Sequence, residues 1–139
     1  MTAGSTGPAA GCLLAFDYGQ RHIGVAVGQD VTRSASPLAS VRARDGSPDW
    51  TAIDALIREW QPALLVVGLP LNMDGTESDM SRKARRFARR LGARAGLPVS
   101  LADERLTSVA AREATAGRDA RHAVAAALIA ETWLGLEKR

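Results

Sequence analysis

Three places in the chain set acids where a hard cation could be held. Asp17 follows the apolar run Cys12–Phe16 and opens a polar turn, Tyr18-Gly19-Gln20-Arg21-His22. An aspartate at the end of a buried strand projects its carboxylate past the edge of the core, where it can ligate a divalent ion. The same residue type also serves simply to satisfy turn amides. Asp103-Glu104-Arg105 repeats the arrangement after the apolar run Val99–Ala102. Sites in open α/β sheets gather at strand ends of this kind, although a solvated loop with a local Glu–Arg pair is the plain alternative. Asp119 and His122 lie three apart and share one helix face. Asp119 could equally be a helix N-cap.

Taken together, these positions describe a two-metal phosphodiesterase. Carboxylates suit Mg2+ (or Mn2+), which keeps waters and shares substrate phosphates. Two such ions roughly 3.5–4 Å apart stabilise attacking and leaving oxygens. No Cys/His cluster suits zinc, no GxxxxGK loop cradles a nucleotide, and no GxSxG elbow supports acyl transfer.

A basic stretch supplies the substrate argument. Arg82, Lys83, Arg85, Arg86, Arg89, Arg90 and Arg94 crowd together, with no acid between Ser81 and Val99. A charge run is often only a solvated face; one so purely cationic fits a phosphate backbone track. Aromatic residues make up 4% of the chain, so base stacking is not the main mode of binding.

The elements that must position these groups follow from periodicity. Cys12–Phe16 and Ile23–Val27 are short apolar runs joined by a turn, an antiparallel hairpin with at least one strand buried on both faces. Leu38–Arg42 is a third strand, and residues 44–49 form a loop. Ile53, Leu56, Ile57 and Trp60 have helical spacing, which predicts a helix over Trp50–Trp60 stopped by Pro62. Ala63–Val67 is a buried strand. A helix capped by Ser78 or Asp79 carries Met80, Ala84, Phe87, Ala88 and Leu91, and ends at Gly92 or Gly96. Val99–Ala102 is a further buried strand. A helical segment from Thr107 or Ser108 frays near Gly117. The last helix, about Ala120 to Leu136, offers Val124, Ala127, Leu128 and Leu134 to the core. Strands alternating with helices after a hairpin predict an α/β fold with a mixed sheet.

At 139 residues, 46% hydrophobic and 24% charged, the chain fits one globular domain over residues 12–139. Residues 1–11, small and uncharged, read as a mobile tail without the basic start of a secretory signal. No run reaches the ~18 apolar residues of a membrane helix. A single cysteine, Cys12, reads as a buried thiol, and the whole as a cytoplasmic protein. The net charge of +3 is compatible with a nucleic-acid partner.

Several segments resemble the YqgF family in order along residues 12–136. They are Phe16-Asp17-Tyr18-Gly19, Ile23-Gly24-Val25-Ala26, Val67-Gly68-Leu69-Pro70, Asn72-Met73-Asp74-Gly75-Thr76-Glu77, Asp103-Glu104-Arg105-Leu106-Thr107 and Ala125-Ala126-Ala127-Leu128-Ile129. Family members are described as Holliday junction resolvases and as pre-16S rRNA nucleases. The resemblance implies an RNase H-like fold with a mixed five-stranded sheet flanked by helices. It implies Asp17 as the first catalytic acid and Glu104 as the second, with Arg105 and Thr107 placing phosphate or bracing the acids. Gly19, Arg21 and Asn72, in or beside the matched segments, are assigned with Arg82, Arg86 and Arg90 to substrate binding. His122 stands where the family usually has an aspartate, with Asp119 one turn earlier. On this reading Asp17, Glu104 and Asp119 carry the metal and His122 assists as ligand or proton donor.

The expected function is a metal-dependent endonuclease that processes the 5′ end of pre-16S rRNA, with the small-subunit precursor as partner. Junction resolution on branched DNA, as a homodimer rather than a monomer, is the first alternative. A non-catalytic RNA-binding protein of the same fold is the second. An actin-like ATPase, which also begins Asp-x-Gly, needs two large domains that this length does not supply.

Overall fold

The computed structural model describes residues 11–29, 31–32, 34–103 and 118–137, with side chains in the last segment from 122 to 135. The elements run β1 (Cys12–Asp17), β2 (His22–Gln29), β3 (Ser34–Arg44), β4 (Ser47–Pro48), α1 (Trp50–Trp60), β5 (Leu64–Leu69), α2 (Asp79–Ala95), β6 (Val99–Asp103) and α3 (Arg118–Glu137). The proposed tail through residue 10, the segment around Thr107 and Ser108, and the residues Glu104, Arg105 and Thr107 lie outside the described residues.

The strands form one mixed sheet in the order β4-β3-β2-β1-β5-β6. β1 pairs antiparallel with β2 and parallel with β5, and β5 pairs parallel with β6. The strand count departs from the expected five because β3 is longer than its apolar part. Its polar ends, Ser34 and Arg44, still pair, and residues 44–49, expected to form a loop, turn at Asp45-Gly46 so that Ser47 and Pro48 pair back. Both turn residues have positive φ, 50° and 84°. Pro37 is tolerated in β3 because it falls at the register shift opposite Val25 and Ala26.

Each helix is punctuated by its own sequence. Asp49 caps α1 by accepting from the Ala52 amide. Ser78 and Ser81 cap α2 reciprocally, and Gly96 closes it in the left-handed region at φ 68°.

The two faces of the sheet differ in kind. Leu14, Phe16, Ile23, Val25, Val27, Leu65 and Val67 pack against Ile53, Phe87 and Leu91 of α1 and α2. The other face is built from small residues. Alternation puts Gly24, Ala26 and Gly28 of β2 toward α3, where Ala126 and Ala127 lie against Ala26. Ile129, Ala130 and Leu134 meet Leu13, Ala15, Val66 and Ala102. The Ala-rich sequence of α3 therefore reflects a close approach to the sheet. Val124 and Leu128, expected in the core, are only partly buried, because Ala123, Ala126, Ala127 and Ala130 form the inward stripe.

Candidate active site

Asp17 is the last residue of β1. Alternation along that strand turns Leu14 and Phe16 toward α2 and Leu13 and Ala15 toward α3, so Asp17 shares the α3 side. There its Oδ2 lies 3.0 Å from His122 Nδ1. Asp17 is 5% exposed, one of two buried polar side chains among the described residues. A buried carboxylate needs partners, and the described one is the imidazole. Main chain rather than side chain brings the helix to this point. A Cβ on Gly24 would lie 1.9 Å from the His122 carbonyl oxygen, and one on Gly19 2.4 Å from the His22 carbonyl oxygen and 3.1 Å from His122 Cε1. Both glycines are required by this packing. The His22 ring follows at 6.3 Å from that of His122.

A groove of about 520 Å³ opens over the pair, lined by Asp17, Gly19, Arg21, Pro70, Met80 and His122 among others. It sits at the carboxyl ends of parallel strands: Phe16 of β1 is level with Val67 of β5, and Leu69 of β5 with Asp103 of β6. Glu104 directly follows Asp103 in the sequence and lies outside the described residues. Asp119 is the second residue of α3, one turn before His122; its side chain is likewise outside them. No group of three metal-ligating side chains occurs among the described residues.

The expected substrate residues divide. Arg21 and Gly19 line the groove. Asn72 braces its own turn, its side-chain amide donating to Thr76 Oγ1 at 3.0 Å while its main chain bonds Thr76 and Gly75. The basic stretch is more neutralised than its sequence suggests, by acids outside it. Arg85 is bound to Glu77 at 2.8 Å and Arg94 to Asp54 at 2.9 Å. Asp79 lies 3.8 Å from Arg82 and 3.4 Å from Lys83. The Arg85 guanidinium holds the Glu77 carboxyl below its ordinary value, as Arg94 does for Asp54. Arg86 and Arg90 line a second pocket beside Tyr18.

Tyr18, Pro70 and Met80 line the groove and Lys83 the second pocket, positions to which the sequence reading gave no role at the site. The alternation of glycine and alanine at 24, 26 and 28 was the sequence signal for a helix lying directly on β2.

Solved structures place the fold in a class. It superposes on Thermus thermophilus RuvC in complex with Holliday junction substrate with a TM-score of 0.57 at 16% identity, covering 91% of this chain and 95% of that one. A second Thermus thermophilus RuvC structure gives 0.56 at 13% identity, covering 91% and 96%. The architecture is an RNase H-like fold.

Sequence carries the assignment further. Residues 11–136 match the family model described as RuvX, Holliday junction resolvase. A protein of Azotobacter vinelandii named "Putative pre-16S rRNA nuclease" is 54% identical over 130 residues, 88% of this chain and 92% of that one. The protein of that name from Chromohalobacter salexigens is 61% identical over 110 residues, 79% and 73% of the two chains. The chain belongs to the RuvX family, the YqgF family of the sequence resemblance, and is a nuclease.

Proposed function

We propose that this nuclease cuts structured RNA in a divalent-metal-dependent reaction and processes the 5′ end of pre-16S rRNA on the small-subunit precursor. The observation that carries the reading is the buried Asp17 carboxylate held by His122 beneath an open groove. The names of the relatives support the RNA substrate.

Asp17 is a hard oxygen donor at the floor of that groove, and such donors suit Mg2+ or Mn2+. We assign Asp17, Glu104 and Asp119 to the metal. Held there, a divalent ion would supply charge stabilisation to the phosphodiester under attack. The protein's own groups do the rest. His122, with Nδ1 against Asp17 Oδ2, orients the carboxylate and keeps Nε2 as the nitrogen available to move a proton. Gly19 lines the groove beside the acid and is assigned to the substrate side of it, its missing side chain leaving room for the His122 ring. Arg21, on the groove wall, is assigned to phosphate, and so are Arg105 and Thr107. Arg82, Arg86 and Arg90 extend the cationic surface along α2.

The test is cleavage of a pre-16S 5′ leader and of a four-way DNA junction with Mg2+ or Mn2+ present or chelated. The leader should be cut only with metal, and Asp17→Asn should abolish cutting. An unchanged rate in Asp17→Asn defeats the metal assignment. Preferential cutting of the junction would move the substrate to branched DNA. Binding of the leader with no cutting by the parent protein would leave a non-catalytic RNA-binding protein. His122→Asp distinguishes the two roles of that residue: a rate preserved or raised makes it a replaceable ligand, and a tenfold loss gives it proton transfer.

A further inference from the structure

The groove over Asp17 is not the only concavity on this side of the molecule. A pocket of about 180 Å³ adjoins it, and Tyr18 and Gln20 line both. One wall is α2, contributing Lys83, Arg86 and Arg90; the other is the Asp45-Gly46 turn between β3 and β4. We propose that this pocket is a discrete seat for one non-scissile backbone phosphate of the strand whose cleaved position lies at Asp17. The proposal takes its substrate class, a nucleic acid, from the function proposed above.

Three observations carry it. First, α2 spends its cations unequally. Arg85 and Arg94 are engaged by Glu77 and Asp54, whereas no carboxylate among the described residues pairs with Arg86 or Arg90. The Arg90 guanidinium is instead held 5.3 Å over the Trp50 ring, which fixes its position without using its N–H donors on an anion. Lys83 shares its charge with the well-exposed Asp79 at 3.4 Å.

Second, the opposite wall is fixed in advance. Tyr18 Oη donates to the Gly46 carbonyl at 2.8 Å, and the Tyr18 ring packs 5.2 Å from Phe87. The pocket is therefore shaped before any ligand arrives, which limits the ordering cost of binding. Third, the lining suits an anion and not a base. The Tyr18 ring is occupied by Phe87, so recognition rests on charge and carries no sequence information. Asp45, on the turn, is the pocket's acidic lining residue. It makes no ion pair with Arg86 or Arg90 among the described residues, so it lowers the pocket's affinity for phosphate without holding either cation.

The experiment is equilibrium binding of a labelled pre-16S leader stem without divalent metal, over a salt series. Arg86→Ala and Arg90→Ala should each weaken binding about four- to fivefold near physiological salt and reduce the salt slope by about 1. Arg89→Ala removes the same charge from the same helix outside the pocket and should change affinity by less than about twofold. Asp45→Asn keeps a residue that tolerates the turn's positive φ and should tighten binding, a gain that misfolding does not produce. Equal losses in Arg89→Ala and Arg86→Ala would overturn the seat in favour of a diffuse field, and so would an Asp45→Asn variant that binds no more tightly. These outcomes separate from those of the nuclease reading. Pocket-dependent binding without cleavage leaves the seat standing and removes the nuclease function, while unaltered binding by an Arg86→Ala/Arg90→Ala variant that still cuts does the reverse.

Discussion

Replacing Gly24 by alanine should cost far more than one methyl group implies. The added Cβ would lie 1.9 Å from the carbonyl oxygen of His122, 2.1 Å from its carbonyl carbon and 2.6 Å from the amide nitrogen of Ala123. These are backbone atoms, so no flexible side-chain end can swing aside. Gly24 is also locked in the sheet, opposite Asp17 on β1 and Ser40 on β3. Helix α3 must therefore retreat by about 1.5 Å to restore ordinary contact. Overpacking costs about 1–3 kcal/mol, and rigid neighbours put this case at the upper end. The retreat also stretches the 3.0 Å contact between His122 and Asp17, and a buried carboxylate that loses its hydrogen bond costs about 1–3 kcal/mol more. A combined loss of about 4 kcal/mol should lower the Tm of a domain this size by about 10–15 °C. Displacing the imidazole by this much should reduce cleavage about a hundredfold even below the melting range. Calorimetry and single-turnover cleavage read the two effects separately. Gly135→Ala is the control: nothing lies within 4 Å of that Cβ, and alanine within a helix should stabilise by up to about 1 kcal/mol. A Gly24→Ala protein that melts within about 2 °C of its parent and cuts at the parental rate would refute the close-packing argument.

Further outcomes follow from the ionisable and hydrogen-bonded groups. Glu77 accepts from Arg85 at 2.8 and 3.0 Å and its carboxyl is held below the ordinary glutamate value. Its contribution is present above that ordinary value and is lost as pH falls through the lowered one, so Glu77→Gln should flatten the acid side of a urea stability–pH curve. Burial pushes the Cys12 thiol up. The associated stability is intact below the ordinary thiol value and lost as pH rises through the raised one, and an aromatic disulfide reagent should label Cys12 slowly at neutral pH until urea unfolds the chain. Tyr18→Phe removes the bond to the Gly46 carbonyl and should cost about 1 kcal/mol in a thermal melt.

What the sequence made legible was periodic or punctuated. Trp50–Trp60 was readable to the residue because its apolar spacing sits between Asp49, a cap, and Pro62, a stop. Ser78 and Gly96 likewise mark α2. Strand β3 was underestimated because its ends are polar and exposed, and edge pairing leaves no hydrophobic trace. β4 escaped notice because two residues have no period, and its pairing depends on left-handed conformations at Asp45 and Gly46 that composition only hints at. At the site, strand-end position singled out Asp17 and helical spacing singled out His122, but their contact spans 105 residues of sequence and no local rule predicts it. The same limit applies to the basic helix. Seven cations read as one face, and only tertiary contacts with Glu77 and Asp54 show which of them are already engaged.

The glycines at 19 and 24 explain how a histidine at 122 comes to meet Asp17. An imidazole reaches farther from its backbone than a carboxylate of aspartate does. Here the His122 main chain is pressed onto Gly24, and its ring edge onto Gly19, as closely as two Cβ-free residues allow. From that position Nδ1 meets Asp17 at 3.0 Å, and the side chain, 36% exposed, lines the groove. The residue thus does two things an aspartate would not do together. It satisfies the buried Asp17 carboxylate through a hydrogen bond instead of adding a second like charge, and its other ring nitrogen, Nε2, stays outside that contact. An aspartate at 122 has no second ring nitrogen and would set another carboxylate beside Asp17, so it could serve only as a further ligand. The small residues of β2 and the histidine of α3 are therefore one structural feature, and substituting either should disturb the other's role.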